Sequence, residues 1–419
     1  MIDADLIVTH IAELATPTGN GPRLGADLGQ LTTIPDAAVA CRDGIFVWVG
    51  PRSELEQAVR LTEDGHTVDA DGGTALPGFV DPHTHLPFIG WRESEFDERL
   101  RGASYSDIAA RGGGILSTVA KTREASTEQL AETVENRLDA MLALGTTTVE
   151  AKSGYGLSFD HEIKQLEALS HAARHHPVRL VPTFLGAHTI PPEFKDRRAD
   201  YVALLVDRLL PEIVERQLAE YADAFVDAHA FSIDEARTIL TAARESGLGV
   251  RLHADQLADD GAAALAAELG ASSADHLEYA SDAGIEAMAK AGTGGILLPA
   301  ATFFLMMDAP PPGRRLVDGG VPVALATDFN PGSCPTESMT AAMWFACLNG
   351  KLTVDEAITA ATLNAAHTLG RADRIGSVEV GKRADLVVHR IPNRYHLVYR
   401  FGAPRVEFVF AAGRLVYEA

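Results

Sequence analysis

A chain of 419 residues, 46% hydrophobic and 22% charged, has room for one large domain of ~250 residues or more and a smaller one. Its formal charge of −22 argues against general nucleic-acid binding, which needs basic surface, and means that an anionic substrate would need a local cation to draw it in. Three cysteines without a CxxC pair (Cys41, Cys334, Cys347) fit a reducing cytoplasm, and neither a secretion signal in MIDADLIVTH nor a run of ~18 apolar residues suited to a membrane is present.

In chain order, the first 75 or so residues read as short β segments, DLIVTHIAELAT, AAVACRDGIFVWVGP and HTVDADGGTALPG, punctuated by Gly, Pro and Asp. The middle alternates. Apolar strands are expected at GFVDP (78–82), TTTVEA (146–151), RLVPTF (179–184), AFVDAH (224–229), GVRLHA (249–254), SADHLE (273–278), GILLPA (295–300) and PVALATD (322–328). Helical patterns such as TEQLAETVENRLDAMLALG and IDEARTILTAARESG separate most of them, often ending in Gly. The last segments, GSVEVGKRADLVVHR and VEFVFAAGRLVYEA, return to β patterning. Eight strands alternating with helices favour an α/β fold of the (β/α)8 TIM-barrel type over a doubly wound sheet, and no GxGxxG opens a helix after the first strand. The expected division is a barrel over 77–374 and a small β-sandwich domain built from both termini, 1–76 plus 375–419.

Barrel enzymes carry their reactive groups at the C-terminal ends of the strands. Those ends hold His83 and His85 in FVDPHTHLPF, His253, His276 and Asp328. Residues two apart on an extended strand point to one face, so His83 and His85 can approach one metal ion together. Three imidazoles and a carboxylate suit a zinc-type site with a position left for water, and iron accepts the same donors. No lysine stands in AFVDAHAF at the end of the fourth strand to bridge two ions, so one ion per subunit is expected. His229, in the same stretch, reads as pocket lining or structure, and Lys152 as structural or supporting. RGGGIL (111–116) and KSGYGL (152–157) lack the GK[ST] ending of a phosphate loop. The first reads as a segment that closes over substrate, or as plain turn chemistry.

HTH at the first strand, HAD at 253–255, ADH at 274–276, ATD at 326–328 and GSVEVGKRADLVV resemble the amidohydrolase superfamily. HTHLPFIGWRESEFDERLRGASYSDIAARGGGILSTV, EAKSGYGL, TFLGAHTIP, HADQL, ADHLEY and ATDFNPGSCP resemble one branch of it over nearly the whole chain. Members of that branch hydrolyse 4-imidazolone-5-propanoate to N-formimidoyl-L-glutamate, the third step of histidine breakdown. The resemblance implies metal ligation by His83, His85, His253 and Asp328. It also implies substrate contacts from Arg92, Tyr155, His188, Gln256, Asn330, Gly332 and Ser333, and a homodimer, the commonest soluble oligomer.

The chemistry of the residues agrees with these implications. Ring opening needs water to attack an amide-like carbonyl, and a bound metal lowers the pKa of water from 15.7 to about 7 while polarising the carbonyl. Asp328 can bind the metal and accept the proton; His276 suits a hydrogen bond to the water or carbonyl; His188 can donate to the carbonyl oxygen as charge builds there. Arg92 supplies the cation that the acidic chain needs, as a clamp on the propanoate carboxylate. Gln256 departs from relatives that carry glutamate three residues after the histidine, and an amide cannot act as a base. Proton transfer then falls to Asp328 with His276. The rival readings are a cytosine-deaminase-like aminohydrolase with the same metal set, and a noncatalytic barrel.

Overall fold

Two hydrogen-bonded sheets organise the chain, described in the computed structural model over residues 1–103, 113–403 and 405–419. The first begins with β1 (Ile2–Thr16), β2 (Thr32–Arg42), β3 (Ile45–Pro51), β4 (Val59–Asp69) and β5 (Thr74–Pro77). Asp43 and Gly44 join β2 to β3 at φ of 52° and 80°, the two-residue turn that Asp-Gly favours. The second sheet comprises β6 (Phe79–Asp81), β7 (Thr146–Lys152), β8 (Arg179–Ala187), β9 (Tyr221–Phe225), β10 (Gly249–Ala254), β11 (Ser273–His276), β12 (Gly294–Leu297) and β13 (Val323–Leu325). Its eight strands pair in parallel, in sequence order, as a (β/α)8 barrel requires. Finally β14 (Leu386–His389), β15 (Val406–Ala411) and β16 (Arg414–Glu418) rejoin the first sheet. It runs β16-β15-β14-β5-β1-β2-β3, with β4 also paired to β1, so both termini build one mixed sheet.

Local signals set the helices. Ser126 and Gln129 form a reciprocal capping box before the helix Thr127–Ala143, and Ser232 with Glu235 does the same for Ile233–Glu245. Val134, Leu138 and Met141 then fall on one buried face in the main core, with Leu130 buried beside Ala168 of the neighbouring helix. Gly145 and Gly247, at φ of 93° and 94°, follow these two helices in the left-handed conformation that ends them.

The barrel closes where the first strand meets the last. Asp328 N donates to His83 O at 3.1 Å, His85 N to Phe329 O at 2.9 Å, and Thr327 N to Asp81 Oδ1 at 3.1 Å. The fourth strand differs from expectation: β9 ends at Phe225, and Asp227 folds the following residues into a turn. Its carboxylate accepts from His229 N at 2.8 Å, and its own N–H donates to Phe231 O at 3.2 Å. His229 therefore lies on an exposed turn beyond the strand.

His389 closes β14 at 1% exposure, its ring 5.8 Å from that of Phe79. Burial pushes its pKa down to about 4. Unfolded histidine titrates near ~6.5, so between those values the unfolded chain binds the proton that the folded sheet refuses. The contribution of His389 to stability is full above pH ~6.5 and declines as pH falls through that window. Chemical denaturation at pH 7 and pH 5 should show wild type losing about 2 kcal/mol more than His389→Phe; equal losses would contradict this account.

Candidate active site

The residues expected at the strand ends meet at one mouth of the barrel. His83, His85, His253, His276 and Asp328 are each at most 4% exposed. Ligand atoms of His83, His85 and Asp328 lie within 4.8 Å of one another, as do those of His83, His253 and His276. Asp328 Oδ1 stands 3.5 Å from Nε2 of both His83 and His85. The rings of His83 and His253 are 4.5 Å apart, and those of His253 and His276 are 5.4 Å apart.

The donor atoms are of the kind that could hold a cation. His83 Nε2, His85 Nδ1, His253 Nε2 and His276 Nδ1 are buried without a hydrogen-bond partner, while His253 Nδ1 lies 3.1 Å from Asp223 Oδ2. Such groups cost roughly 1–3 kcal/mol each when left unsatisfied, and a cation taking one nitrogen from each ring offsets part of that cost. Burial, reinforced by neighbouring positive charge, holds His83 and His85 well below the usual histidine range, and burial takes His276 down to about 3. They are neutral near pH 7, the form that offers a lone pair to a metal.

Beneath the imidazoles lies a layer of buried ions. Strand alternation turns Glu150 and Lys152 of β7, Asp223 of β9, Arg251 and His253 of β10, and Asp275 of β11 toward the barrel axis. Asp275 Oδ2 is 2.6 Å from His83 Nδ1, and Asp223 Oδ2 is 3.1 Å from His253 Nδ1. Lys152 Nζ reaches Glu150 Oε1 at 2.8 Å and Asp223 Oδ2 at 2.9 Å. Burial alone would lower the lysine pKa, but Asp223 and Glu150 outweigh it and raise it. Asp223 and Asp275 did not emerge from the sequence reading. Their signal was an acidic residue inside an otherwise apolar strand, as in YADAF.

Residues of the remaining motifs lie around the mouth above. Tyr155 is 2% exposed, its ring 5.4 Å from His188 and 6.1 Å from His85. The KSGYGL loop that carries it is held by Glu162, which accepts from the backbone N–H groups of Gly154, Gly156 and Leu157. Gly156 is required there, because a Cβ would fall 2.4 Å from the His161 carbonyl carbon. His188 stacks on His85 at 5.3 Å, and its Nδ1 lies 3.0 Å from Gly154 O.

After β13, Asn330 organises the loop. Its Oδ1 accepts from Gly332 N and Ser333 N, and its Nδ2 donates to Asp328 O and Ser333 Oγ. Ser333 Oγ in turn donates to Asp328 Oδ2 at 3.2 Å. Arg92 packs on this loop: a Cβ at Gly332 would come 1.0 Å from its guanidinium Nη2. The arginine side chain is only 15% exposed, and its Nε, without a hydrogen bond, stands 3.9 Å from Glu95 Oε2. Gln256 is partly exposed in the loop after β10.

Glu278 was also missed. Thr302 Oγ1 donates to its Oε1 at 2.8 Å, while its Oε2 stands 4.0 Å from His276 Nδ1. Burial pushes this carboxyl up to about 7. Arg111 and Gly112 of the expected closing loop lie outside the described residues. His229 does not join the histidine cluster.

A sequence model of the amidohydrolase family matches residues 74–416. The chain belongs to the amidohydrolase family. Within it, the chain is 48% identical to imidazolonepropionase of Symbiobacterium thermophilum over 419 residues, 100% of this chain and 98% of the relative. It is 48% identical to the imidazolonepropionase of Geobacillus kaustophilus over 415 residues, 98% and 97% of the two chains. It is 44% identical to that of Alkaliphilus metalliredigens over 415 residues, 99% and 98%. In structure it resembles an adenosine deaminase from Xanthomonas campestris with bound zinc, with a TM-score of 0.73, 20% identity and coverage of 99% and 93%. It also resembles a 5-methylcytosine deaminase from Klebsiella pneumoniae, with a TM-score of 0.71, 17% identity and coverage of 97% and 98%. At these identities the structural likeness speaks for the fold alone.

If the orphaned nitrogens hold a cation, chelation should lower the thermal midpoint and re-addition restore it. At a hundredfold excess of free ion over Kd the stabilisation is about 2.7 kcal/mol. His253→Ala should abolish the metal-dependent difference in a calorimetric scan; retention of the full difference would place the ion elsewhere.

Proposed function

We propose that this chain is an imidazolonepropionase, hydrolysing the cyclic amide-like C–N bond of 4-imidazolone-5-propanoate to N-formimidoyl-L-glutamate in histidine breakdown. The observation that carries this reading is the presence, in one mouth, of the His/Asp cluster and a largely covered arginine, in a chain 48% identical to imidazolonepropionases. His83, His85, His253 and Asp328 would hold one zinc ion, with iron as the alternative for the same donors. Bound there, the ion supplies Lewis acidity, polarising a carbonyl and bringing the pKa of water near neutrality.

The chain's own residues supply the rest. Arg92 clamps the propanoate carboxylate through its guanidinium and offsets the local effect of a −22 chain. The Tyr155 ring forms a wall of the mouth, and His188, neutral with its Nδ1–H on Gly154 O, offers Nε2 as an acceptor to an N–H of the substrate ring. Burial raises the Asp328 carboxyl pKa, which suits it to take the proton of the attacking water. That proton passes to the ring nitrogen as its bond to the carbonyl carbon breaks. His276, neutral, holds the water or carbonyl by a hydrogen bond. Gln256 can only orient the substrate, since its amide accepts no proton at neutral pH. Asn330, Gly332 and Ser333 shape the loop against which Arg92 and Asp328 rest.

No described helix is long and apolar enough to cross a membrane. We expect the enzyme to act in the cytoplasm as a two-fold homodimer. A cytosine-deaminase-like reaction has no evident use for a carboxylate clamp at Arg92.

The decisive assay follows the ultraviolet signal of 4-imidazolone-5-propanoate with metal-loaded, stripped and reconstituted protein, and identifies the product by mass. Metal-dependent formation of N-formimidoyl-L-glutamate is the expected result; no turnover by the loaded protein would reject the assignment. Gly332→Ala must push the Arg92 guanidinium from its seat. Loss of a charge-assisted pair is worth roughly 1.5–3 kcal/mol, so KM should rise about 10- to 100-fold with a smaller change in kcat. An unchanged KM would remove Arg92 from substrate binding.

A further inference from the structure

The barrel axis holds a cation that the proposed chemistry does not use. Lys152 is fully buried at the end of β7, a strand that contributes none of the proposed metal ligands. Its Nζ stands 2.8 Å from Glu150 Oε1, 2.9 Å from Asp223 Oδ2 and 3.9 Å from Asp275 Oδ2. Two of these three carboxylates lie directly behind metal-facing imidazoles. Asp275 Oδ2 is 2.6 Å from His83 Nδ1, and Asp223 Oδ2 is 3.1 Å from His253 Nδ1. Asp223 is further aimed by its Oδ1, which accepts from His253 N at 3.2 Å. Arg251 adds a second cation 3.7 Å from Asp275 Oδ2, while its Nη2 donates to Pro82 O at 2.8 Å, next to His83.

We propose that Lys152 is a positioning residue for the metal centre: it ties Asp223 and Asp275 together behind His253 and His83, so that both rings keep Nδ1–H toward a carboxylate and present Nε2 to the ion. The physical reason is that a histidine's free nitrogen is set by the hydrogen bond its other nitrogen makes. Two carboxylates serving neighbouring imidazoles repel one another at close range on a dry axis, and a lysine between them turns that repulsion into a fixed spacing. A purely structural lysine would need only Glu150, which lies two residues away on the same face of the same strand. The reach across to β9 and β11 is what the positioning role requires. This inference uses the metal site of the proposed function but not its substrate.

The test is metal affinity, measured by competition with a chelator, together with the visible spectrum of the cobalt(II)-loaded protein. Two variants of the full chain are compared with wild type: Lys152→Met, and Lys152→Met/Glu150→Gln, which removes one charge of each sign. The metal-free melting temperature of each variant reports folding separately. The double variant should fold and bind the ion about 10- to 100-fold more weakly, with an altered cobalt spectrum. Lys152→Arg, which keeps the charge, should recover part of the affinity. A folded double variant with wild-type affinity and spectrum would overturn the proposal and leave Lys152 as the counter-ion of Glu150. A wild-type chain that took up no divalent ion would overturn both the metal site and this role. Failure to turn over 4-imidazolone-5-propanoate, with these affinities as expected, would overturn the substrate assignment and support the positioning role.

Discussion

Charge buried on the barrel axis is the constraint around which this molecule is arranged. Barrels of this type usually fill their interiors with branched aliphatic side chains. Here Glu150, Asp223 and Asp275 face Lys152 and Arg251, all at most 1% exposed. Isolated ions are very costly at such depth, so each must find partners, and Glu150, Lys152 and Asp223 do so within 3 Å. Three carboxylates against two cations leave the axis formally anionic, and Asp328 adds a fourth carboxylate at the mouth. Neutral imidazoles with unpartnered nitrogens stand above this layer. The same residues that would weaken a purely structural core thus create a place where a cation is the missing partner.

Closure of the barrel turns this electrostatic layer into a site. Asp328 lies more than 240 residues from His83 and His85, yet the bonds from Asp328 N to His83 O and from His85 N to Phe329 O fix the two segments side by side. The backbone departs from ordinary geometry at this end. His276, Leu277 and Asp328 take φ of 80°, 72° and 57°, conformations that side chains other than glycine adopt at a cost. The strain lies at the strand ends where the donors must turn inward, and the surrounding parallel ladder holds them there.

Much of this architecture was legible in the chain because it rests on periodic burial. Apolar strand runs located seven of the eight barrel strands and caught only the end of the fourth, and HTH, HAD, ADH and ATD located the cluster, since a reactive residue at a strand end sits beside the pattern that reveals the strand. The fourth strand was placed too far along because YADAF and VDAHAF are both apolar runs broken by an aspartate. Only the turn made by Asp227 decides which one pairs. Buried ion pairs were harder to read. Lys152 and Asp223 are 71 positions apart and meet through barrel curvature, which leaves no local periodicity in either segment. Glu278 was missed for a related reason: its partners, His276 and Thr302, are assembled by the turn after β11 and by a helix after β12.

The amide at Gln256 gives these details a common meaning. Without a carboxylate there, the proposed proton transfer falls to the side of the mouth built by β11 and β13, where Asp328, His276 and Glu278 are all buried. Ser333 and the Asn330 loop hold Asp328 from one direction, so its carboxylate is fixed before any substrate arrives. Arg92 rests against Gly332 in that same loop, tying the proposed substrate clamp to the proposed proton acceptor through a few residues of backbone. Movement of either would disturb the other. The specificity of such a site therefore lies less in any one contact than in the rigid spacing between a carboxylate-binding cation and a proton-accepting carboxylate, both anchored to the closing strand of the barrel.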